Sequence, residues 1–290
     1  VESGFNDLYR QQWVAVMRDT QAHIKAKSWG TTFQVYLNDK YFYKQYDDKK
    51  KKHGRGTSFW LLDEPQHLDD FLALRFFGRL IREAQGDDLT TIVHRVDVSR
   101  PQWGRDLLDR VVDINVSGGF SEFPTWLHDW HDRYQQHIWT YGGAPSPTRS
   151  AIGIAHQALD LYTRGVDGFV PWLTIGSENG SEKNWTACES TCVIYSGKPV
   201  GVMGACASLR LKAYRRGEQD VSLLQTFAQE RQLLTGDPRR QQIAALIGPA
   251  LAGSRSFGTL DGQGAVTEEV DSINVKALET IRQVLRKSLP

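Results

Sequence analysis

The strongest constraint on the fold is an alternation of short apolar runs with longer amphipathic stretches. Runs rich in β-branched and aromatic residues predict strands, and apolar residues spaced three and four apart predict helices. The predicted strands cover residues 31–37, 58–62, 90–98, 111–116, 137–141 and 166–175. The predicted helices around them cover residues 6–27, 68–84, 103–110, 122–136 and 148–164. This order is typical of βα units, so we predict an α/β fold with a mainly parallel sheet.

The carboxyl ends of the predicted strands distinguish a barrel from an open sheet. Polar or aromatic residues recur there, namely Asn38, Asp39, Asp63, Glu64, Asp97, Asn115, Tyr141 and Trp172. Barrel enzymes collect their site residues from several strands at this edge. An open sheet usually carries a glycine-rich phosphate turn at one switch point, and no G-x-G-x-x-G or Walker pattern follows any strand here. The sequence therefore favours a (β/α)₈ TIM-type barrel.

The C-terminal part of the chain is richer in helical patterns. A short strand is predicted at residues 192–195, and helices are predicted over residues 205–234, 238–251 and 268–287. We expect residues 1–235 to form the catalytic barrel portion. Residues 236–290 are expected to form a C-terminal helical extension packed on the barrel.

Charge and hydropathy exclude some partners, and the aromatic content suggests another. The formal net charge is +1, so no overall basic excess recruits nucleic acid. No apolar run approaches the roughly 20 residues that a membrane span needs. Aromatic residues make up 11% of the chain, and they either fill a large core or offer faces for the apolar sides of sugar rings. A glycan is therefore an acceptable partner, and the oligomeric state stays open.

The sequence predicts neither a metal nor an organic cofactor. Three cysteines, Cys188, Cys192 and Cys206, allow one disulfide whose pairing stays open, and no histidine pair stands beside them for zinc. His128 and His131 lie three apart on a predicted helix, a position more typical of solvated histidines than of metal ligands. The first residues show no signal-peptide pattern, so localisation also stays open.

Adjacent Asp63 and Glu64 are the candidate catalytic pair. Glycosidic bond cleavage needs a proton donor for the leaving oxygen and a negative group that supports an oxocarbenium-like transition state. In a variant, Glu protonates the leaving group while Asp orients a substrate 2-acetamido group, whose oxygen attacks the anomeric carbon. Successive residues of a strand point to opposite faces, but Asp63-Glu64 lies at a strand end, before Pro65. The alternative is a helix start with an acidic first turn.

Several collinear segments resemble glycoside hydrolase family 123, the β-N-acetylgalactosaminidases, and its wider uncharacterised relatives. The resemblance begins at Phe59-Trp60-Leu61-Leu62-Asp63-Glu64-Pro65 with the helix that follows it. Further segments resemble the family's strands six, seven and eight and its closing helix, at residues 111–116, 138–145, 164–172 and 208–220. The similarity runs from about residue 31 to residue 230. It implies that residues 31–37 are strand three, so that the barrel lacks its first strands here.

The resemblance also implies roles for individual residues. Asp63 is expected to orient the acetamido group, and Glu64 to act as the general acid/base. Substrate-lining roles are implied for Asn38, Trp139, Tyr141 and Trp172, and the strand-end positions add Asp97 and Asn115 as candidates. The expected activity is removal of terminal β-linked N-acetylhexosamine, with N-acetylgalactosamine preferred and no cofactor. Family habit suggests a periplasmic or secreted bacterial protein.

Two alternatives stay open at this stage. The first is a glycosidase that acts on a sugar without an acetamido group, in which Asp63 serves as a nucleophile or base. The second is a barrel that binds carbohydrate without turnover. Aryl glycosides with and without the acetamido group separate the first alternative from the leading hypothesis, and glycan binding without product would favour the second.

Overall fold

The fold is taken from a computed structural model, which describes most of the chain. The described residues are 1–38, 46–47, 52–53, 60–144, 150–171, 174–175, 192–233, 240–251, 259–260, 266–268 and 275–287. The chain packs as two compact units, Val1–Thr140 and Tyr141–Pro290. The expected division into residues 1–235 and 236–290 stays a prediction.

The first unit alternates helices with strands, as the sequence predicts. Its helices are α1 (Asp7–Ala26), α2 (Leu68–Gln85), α3 (Pro101–Gly104) and α4 (Pro124–Tyr134). Its strands are β1 (Phe33–Tyr36), β2 (Tyr46–Asp47), β3 (Lys52–His53), β4 (Ile92–Asp97) and β5 (Ile114–Val116), and β6 (His137–Gly142) begins there. Strands β2 and β3 form a separate antiparallel pair.

The second unit is mainly helical. Its helices are α5 (Ile152–Thr163), α6 (Leu209–Glu230), α7 (Gln241–Leu251) and α8 (Val275–Lys287). Its strands are β7 (Gly168–Pro171), β8 (Ile194–Ser196), β9 (Ala205–Ala207), β10 (Thr259–Leu260) and β11 (Val266–Glu268). Helices α7 and α8 pack with α5 and α6. Their shared core contains Leu159, Leu224, Ile243, Leu278 and Ile281, all 5% exposed or less.

The parallel sheet confirms the predicted fold class in its coarser form. Among the described residues this sheet has five strands, in the order β1-β4-β5-β6-β7. Phe33 pairs with Ile92, and Ile114 pairs with both Arg95 and His137, in parallel registers. Such a sheet, with helices along it, is compatible with part of a (β/α) barrel, and a complete eight-stranded barrel stays an expectation.

One face of this sheet packs on helix α2, and that packing forms the core of the first unit. The core cluster contains Leu62, Phe71, Leu74, Val96 and Leu108, all 1% exposed or less. Helix α1 packs against the far side of α2, with Val14 beside Phe76, Phe77 and Leu80. The helix face of the sheet is thereby filled, and the other face is available to position polar side chains.

Four predicted elements differ from the observed ones. Residues 60–62 are not in a strand, and Ser58 and Phe59 lie outside the described residues. Asp63 makes only an isolated bridge, because the chain turns at Glu64. Helix α6 begins at Leu209 instead of residue 205, because β9 pairs with β8 and Ser208 caps the helix at Leu211 N. Helix α3 ends at Gly104, and α8 begins at Val275.

Candidate active site

The candidate catalytic pair lies at the carboxyl end of strand β4. Asp63 forms a parallel bridge with Asp97, the last residue of β4, and the Glu64 amide donates to the Asp97 carbonyl at 3.0 Å. Glu64 has a φ of +59°, in the left-handed region that non-glycine residues seldom adopt. This conformation ends the extended alternation directly after Asp63, so consecutive carboxylates need not point to opposite faces.

The buried carboxylate of Asp70 holds the segment that carries the pair. Asp70, on the first turn of α2, accepts a hydrogen bond at 3.0 Å from the amide of Leu61, which precedes the pair in the sequence. The same carboxylate accepts hydrogen bonds from the amides of Gln66 and His67, which follow the pair, at 3.1 and 2.9 Å. Amide donors that would otherwise be unsatisfied near a helix start are therefore tied to one side chain. Asp70 fixes the loop on which Asp63 and Glu64 sit.

Four side chains of neighbouring strands form a charged group, which we call the carboxylate cluster: Tyr36, Asp63, Arg95 and Asp97. Tyr36 pairs with Arg95 in register, Asp63 pairs with Asp97, and Arg95 and Asp97 lie two apart on β4. Paired positions and positions two apart share a face of the sheet. The Arg95 guanidinium donates to both carboxylate oxygens of Asp97 at 2.9 Å and lies 4.4 Å from the centre of the Tyr36 ring.

Burial and like charge shift the proton equilibria of the cluster. Desolvation is the largest effect on Asp97 and raises its pKa; the bonds from Arg95 oppose this rise, and the nearby charge of Asp63 adds to it. Desolvation also raises the pKa of Tyr36 far above its ordinary value, with contributions from Asp97 and Asp63. Tyr36 therefore stays a hydroxyl that can donate a hydrogen bond. The arrangement places two carboxylates, one donor and one cation together.

Glu64 is held by the loop that follows β4. The Ser99 amide donates to Glu64 Oε2 at 2.8 Å, and the Ser99 hydroxyl donates to Glu64 Oε1. The amide of Gly118, in the loop after β5, donates to Ser99 Oγ at 2.8 Å. The expected proton donor thus sits among polar donors at the carboxyl end of adjacent strands, where barrel enzymes place their chemistry.

The structure brings some of the predicted site residues together and separates others. Asp97 joins the carboxylate cluster, and Trp139 is on the same face, since Val116 pairs with both residues. Asn115 pairs with Val96 on the opposite, helix-covered face, where it is 1% exposed. Tyr141 is half-buried two positions beyond Trp139 on β6, and Asn38 is exposed just beyond β1. Trp172 and Asp39 lie outside the described residues.

Four residues around the site were not predicted from the sequence: Tyr36, Asp70, Arg95 and Ser99. Tyr36 and Arg95 lie inside predicted strands, and the two-residue spacing from Arg95 to Asp97 places both on one face, a signal that was available. Asp70 stands three residues after His67 at the start of a predicted helix, the spacing at which a side chain reaches back to the cap amide. Nothing in the sequence relates Ser99 to Glu64, because their contact depends on the turn at Glu64.

Described residues line a cavity in each unit. The one in the first unit, of about 240 Å³, is lined by Gln66, His67, Leu68, Phe71, Trp103, Arg105 and Leu107. Trp103 is 45% exposed, and the Arg100 guanidinium lies 5.1 Å from its ring centre. The other cavity belongs to the second unit, has a volume of about 470 Å³, and lies between α5 and α6, where Phe169 stacks on Tyr214. Burial raises the pKa of Tyr214 to about 12.

The remaining sequence candidates have other surroundings. His131 Nδ1 lies 2.9 Å from the Gln136 carbonyl at the end of α4. Within the described part of the chain, no three His, Cys, Asp or Glu side chains form a group that could hold a metal ion. Cys192 is buried, Cys206 is half-buried on β9 and Cys188 lies outside the described residues, so the disulfide question stays open.

Comparisons with known proteins add no identification. No family model matches the chain, and no curated protein matches it. Among the described helices, none combines the length and the apolar character needed to span a membrane. The geometry of the site therefore carries the functional proposal.

Proposed function

We propose that the chain is the catalytic portion of a glycoside hydrolase that removes terminal β-linked N-acetylhexosamine, with N-acetylgalactosamine preferred. The observation that carries the proposal is the left-handed turn at Glu64, directly after the bridge between Asp63 and Asp97. This turn supports the use of two consecutive carboxylates in one site. The resemblance of residues 31–230 to the β-N-acetylgalactosaminidases supplies the substrate class.

The proposed reaction is substrate-assisted and retains the anomeric configuration. Glu64 gives a proton to the leaving oxygen while the acetamido oxygen attacks the anomeric carbon and the glycosidic bond breaks. The Glu64 carboxylate then takes a proton from the water that opens the cyclic intermediate. The position of Glu64 at the carboxyl end of β4, with both oxygens oriented by Ser99, supports this role.

Asp63 is proposed to accept the hydrogen bond of the acetamido N–H. An amide needs an acceptor for its N–H and a donor for its carbonyl, and the carboxylate cluster contains both kinds of group. The raised pKa of Tyr36 keeps its hydroxyl protonated, and it hydrogen-bonds Asp97. Trp139, on the same face of the sheet, offers an aromatic surface to the sugar ring. Trp103, which lines a cavity with Gln66 and His67, is proposed to offer a second one.

The test is hydrolysis of β-N-acetylgalactosaminides by the wild-type chain and by Glu64→Gln and Asp63→Asn. We expect each variant to lose about 10²- to 10⁴-fold in kcat/KM, the usual contribution of a general acid or base. Glu64→Gln should lose more on an alkyl glycoside than on the p-nitrophenyl glycoside, because only the poorer leaving group depends on protonation. Glu122→Gln and Asp19→Asn change exposed carboxylates and should keep full activity.

A second candidate function follows from the proximity of Asp63 and Asp97. Retaining glycosidases that act without an acetamido group use two carboxyl groups about 5 Å apart, one as acid and one as nucleophile. Asp97 has a raised pKa, and Asp63 bridges to it. Faster turnover of p-nitrophenyl β-galactoside than of its 2-acetamido counterpart would favour this function. Turnover of neither glycoside by the wild-type chain would contradict both candidates.

A further inference from the structure

Ser99 makes an unusually complete set of contacts with the proposed acid/base. Its amide and its hydroxyl each donate to a different oxygen of Glu64. The hydroxyl oxygen in turn accepts from the Gly118 amide at 2.8 Å. A serine hydroxyl has one proton and two lone pairs. Because Gly118 occupies one lone pair, the proton is directed toward Glu64.

Backbone contacts around Ser99 restrict its position relative to Glu64. The loops after β4 and β5 approach so closely that a Cβ at Gly119 would lie 2.3 Å from the Ser99 carbonyl oxygen. The Val98 amide, one residue earlier, donates to the Val116 carbonyl at 2.9 Å. On the other side, the Glu64 amide is tied to the Asp97 carbonyl. Ser99 and Glu64 are therefore each fixed by backbone contacts that do not involve their side chains.

We infer that Ser99 is a positioning residue for Glu64, one that holds its carboxylate in both protonation states. This inference rests on the proposed function. When Glu64 is ionised, the Ser99 hydroxyl donates to Oε1. When Glu64 is protonated as the acid, its proton must point at the leaving oxygen and so occupies a lone pair that Ser99 does not use. The Ser99 amide and hydroxyl then keep their bonds to Oε2 and Oε1.

Two donors that hold the carboxylate in one orientation suit a group that must act first as acid and then as base. An alanine at position 99 keeps the amide but removes the hydroxyl. A threonine keeps both the amide and the hydroxyl. Ser99→Ala and Ser99→Thr therefore separate the hydroxyl from the loop that carries it, and Ser222→Ala, at an exposed serine of α6, is the matched control.

The kinetic test compares these variants with the wild-type chain on the p-nitrophenyl and alkyl glycosides. We expect Ser99→Ala to lower kcat about tenfold with KM changed less than twofold, and the alkaline limb of its kcat profile should move to higher pH. The limb moves to higher pH because the ionised Glu64 carboxylate has lost a hydrogen-bond donor. Ser99→Thr should restore most of kcat and the wild-type limb. An unchanged kcat and limb in Ser99→Ala would overturn the inference.

A second readout does not depend on turnover. Amide hydrogen exchange at Gly118, followed by NMR, should be about tenfold faster in Ser99→Ala than in the wild type, because the amide loses its acceptor. In Ser99→Thr and Ser222→Ala it should match the wild type. Equal exchange in Ser99→Ala would overturn the proposed contact whether or not the chain is a glycosidase. Changed exchange together with no turnover of any glycoside would retain the contact and reject the proposed function.

Discussion

Each unit of the chain buries an aspartate against an arginine, and the two pairs have different surroundings. In the first unit, Asp97 is 7% exposed and accepts two hydrogen bonds from Arg95. In the second unit, Asp220 is 3% exposed and accepts three from Arg282, at 2.6 to 3.0 Å. Arg216 forms a second ion pair with Asp220, with its Nε 3.3 Å from Oδ1. The local geometry alone does not distinguish a site residue from a structural one.

The balance of charge does distinguish them. Asp220 lies between two cations, Arg216 on α6 and Arg282 on α8, and the second anion of the group, Glu279, lies on the other side of Arg282 at 3.5 Å. Asp97 lies beside a second carboxylate, Asp63, and its pKa is raised by desolvation and by that neighbour. A protein that places two carboxylates side by side at strand ends accepts an electrostatic cost, and such costs concentrate at functional sites. Excess like charge is therefore a better indicator of function here than burial.

The largest expected effect in this comparison is on stability. Asp220→Asn should lower the free energy of unfolding by about 3–5 kcal/mol, because it removes the buried anion beside Arg282 and leaves that cation only the more distant, half-exposed Glu279. Asp97→Asn should cost less than about 2 kcal/mol, because the folded protein already disfavours the charged form of this side chain. Urea unfolding of both variants measures the difference.

The activities of the same variants should show the opposite order. Asp97→Asn should impair glycoside hydrolysis, and Asp220→Asn should leave kcat near the wild-type value at temperatures where it is folded. Equal losses of stability in Asp97→Asn and Asp220→Asn would contradict this difference between the units. They would indicate that the ion pair of Asp97 is also mainly structural.

A smaller effect is expected from helix packing, which also differs between the units. A Cβ at Gly217 of α6 would lie 2.7 Å from Ala158 Cβ and 3.3 Å from the backbone of Ala155, both on α5. A Cβ at Gly78 of α2 would meet the side chains of His94 and Val111 at 3.0 Å. Gly217→Ala should cost about 1–3 kcal/mol from overpacking, despite the helix propensity it gains.

Gly78→Ala should cost less than Gly217→Ala, because side chains can shift by a few tenths of an ångström more easily than a helix backbone. Thermal unfolding of the two variants beside the wild type gives the order directly. A larger shift for Gly78→Ala would mean that the sheet and α2 pack more rigidly than the two helices of the second unit.

The sequence predicted the larger features of the fold because periodicity encodes them. Strands β1, β4, β5 and β6 and helices α1, α2 and α5 lie within or close to their predicted ranges. Asp63 lies at the carboxyl end of β4, although residues 60–62 before it do not form the predicted strand. The short strand β9 was missed because its pairing with β8 decides its state, and pairing partners are not visible in local sequence.

The candidate site could be predicted only in part, for a related reason. The strand-end rule selected Asp97, which joins the cluster, and Asn115, which points toward the helices. The rule locates the edge of a sheet but not the face, and a shift of one residue exchanges the faces. The contact of Glu64 with Ser99 depends on one left-handed residue, and no local pattern predicts that conformation for a glutamate.

The smallest predicted effect concerns histidines buried in each unit. His94, on the helix face of β4, and His156, on α5, are 0% and 2% exposed, and burial lowers the pKa of both. The unfolded chain therefore binds more protons than the folded chain below pH 6.5, the ordinary histidine value. Stability from each group is complete above that pH and is lost as pH falls, by about 1.4 kcal/mol per pH unit.

Urea unfolding of the variants at pH 7.5 and pH 5.5 measures the contribution of each histidine. His94→Gln and His156→Gln should each reduce the difference between the two pH values by about 1 kcal/mol, because an uncharged side chain takes up no proton. If only one of these variants reduces the difference in unfolding free energy between the two pH values, the buried histidine of the other unit can be protonated in the folded chain. The electrostatic contrast between the units would then extend from their carboxylates to their histidines.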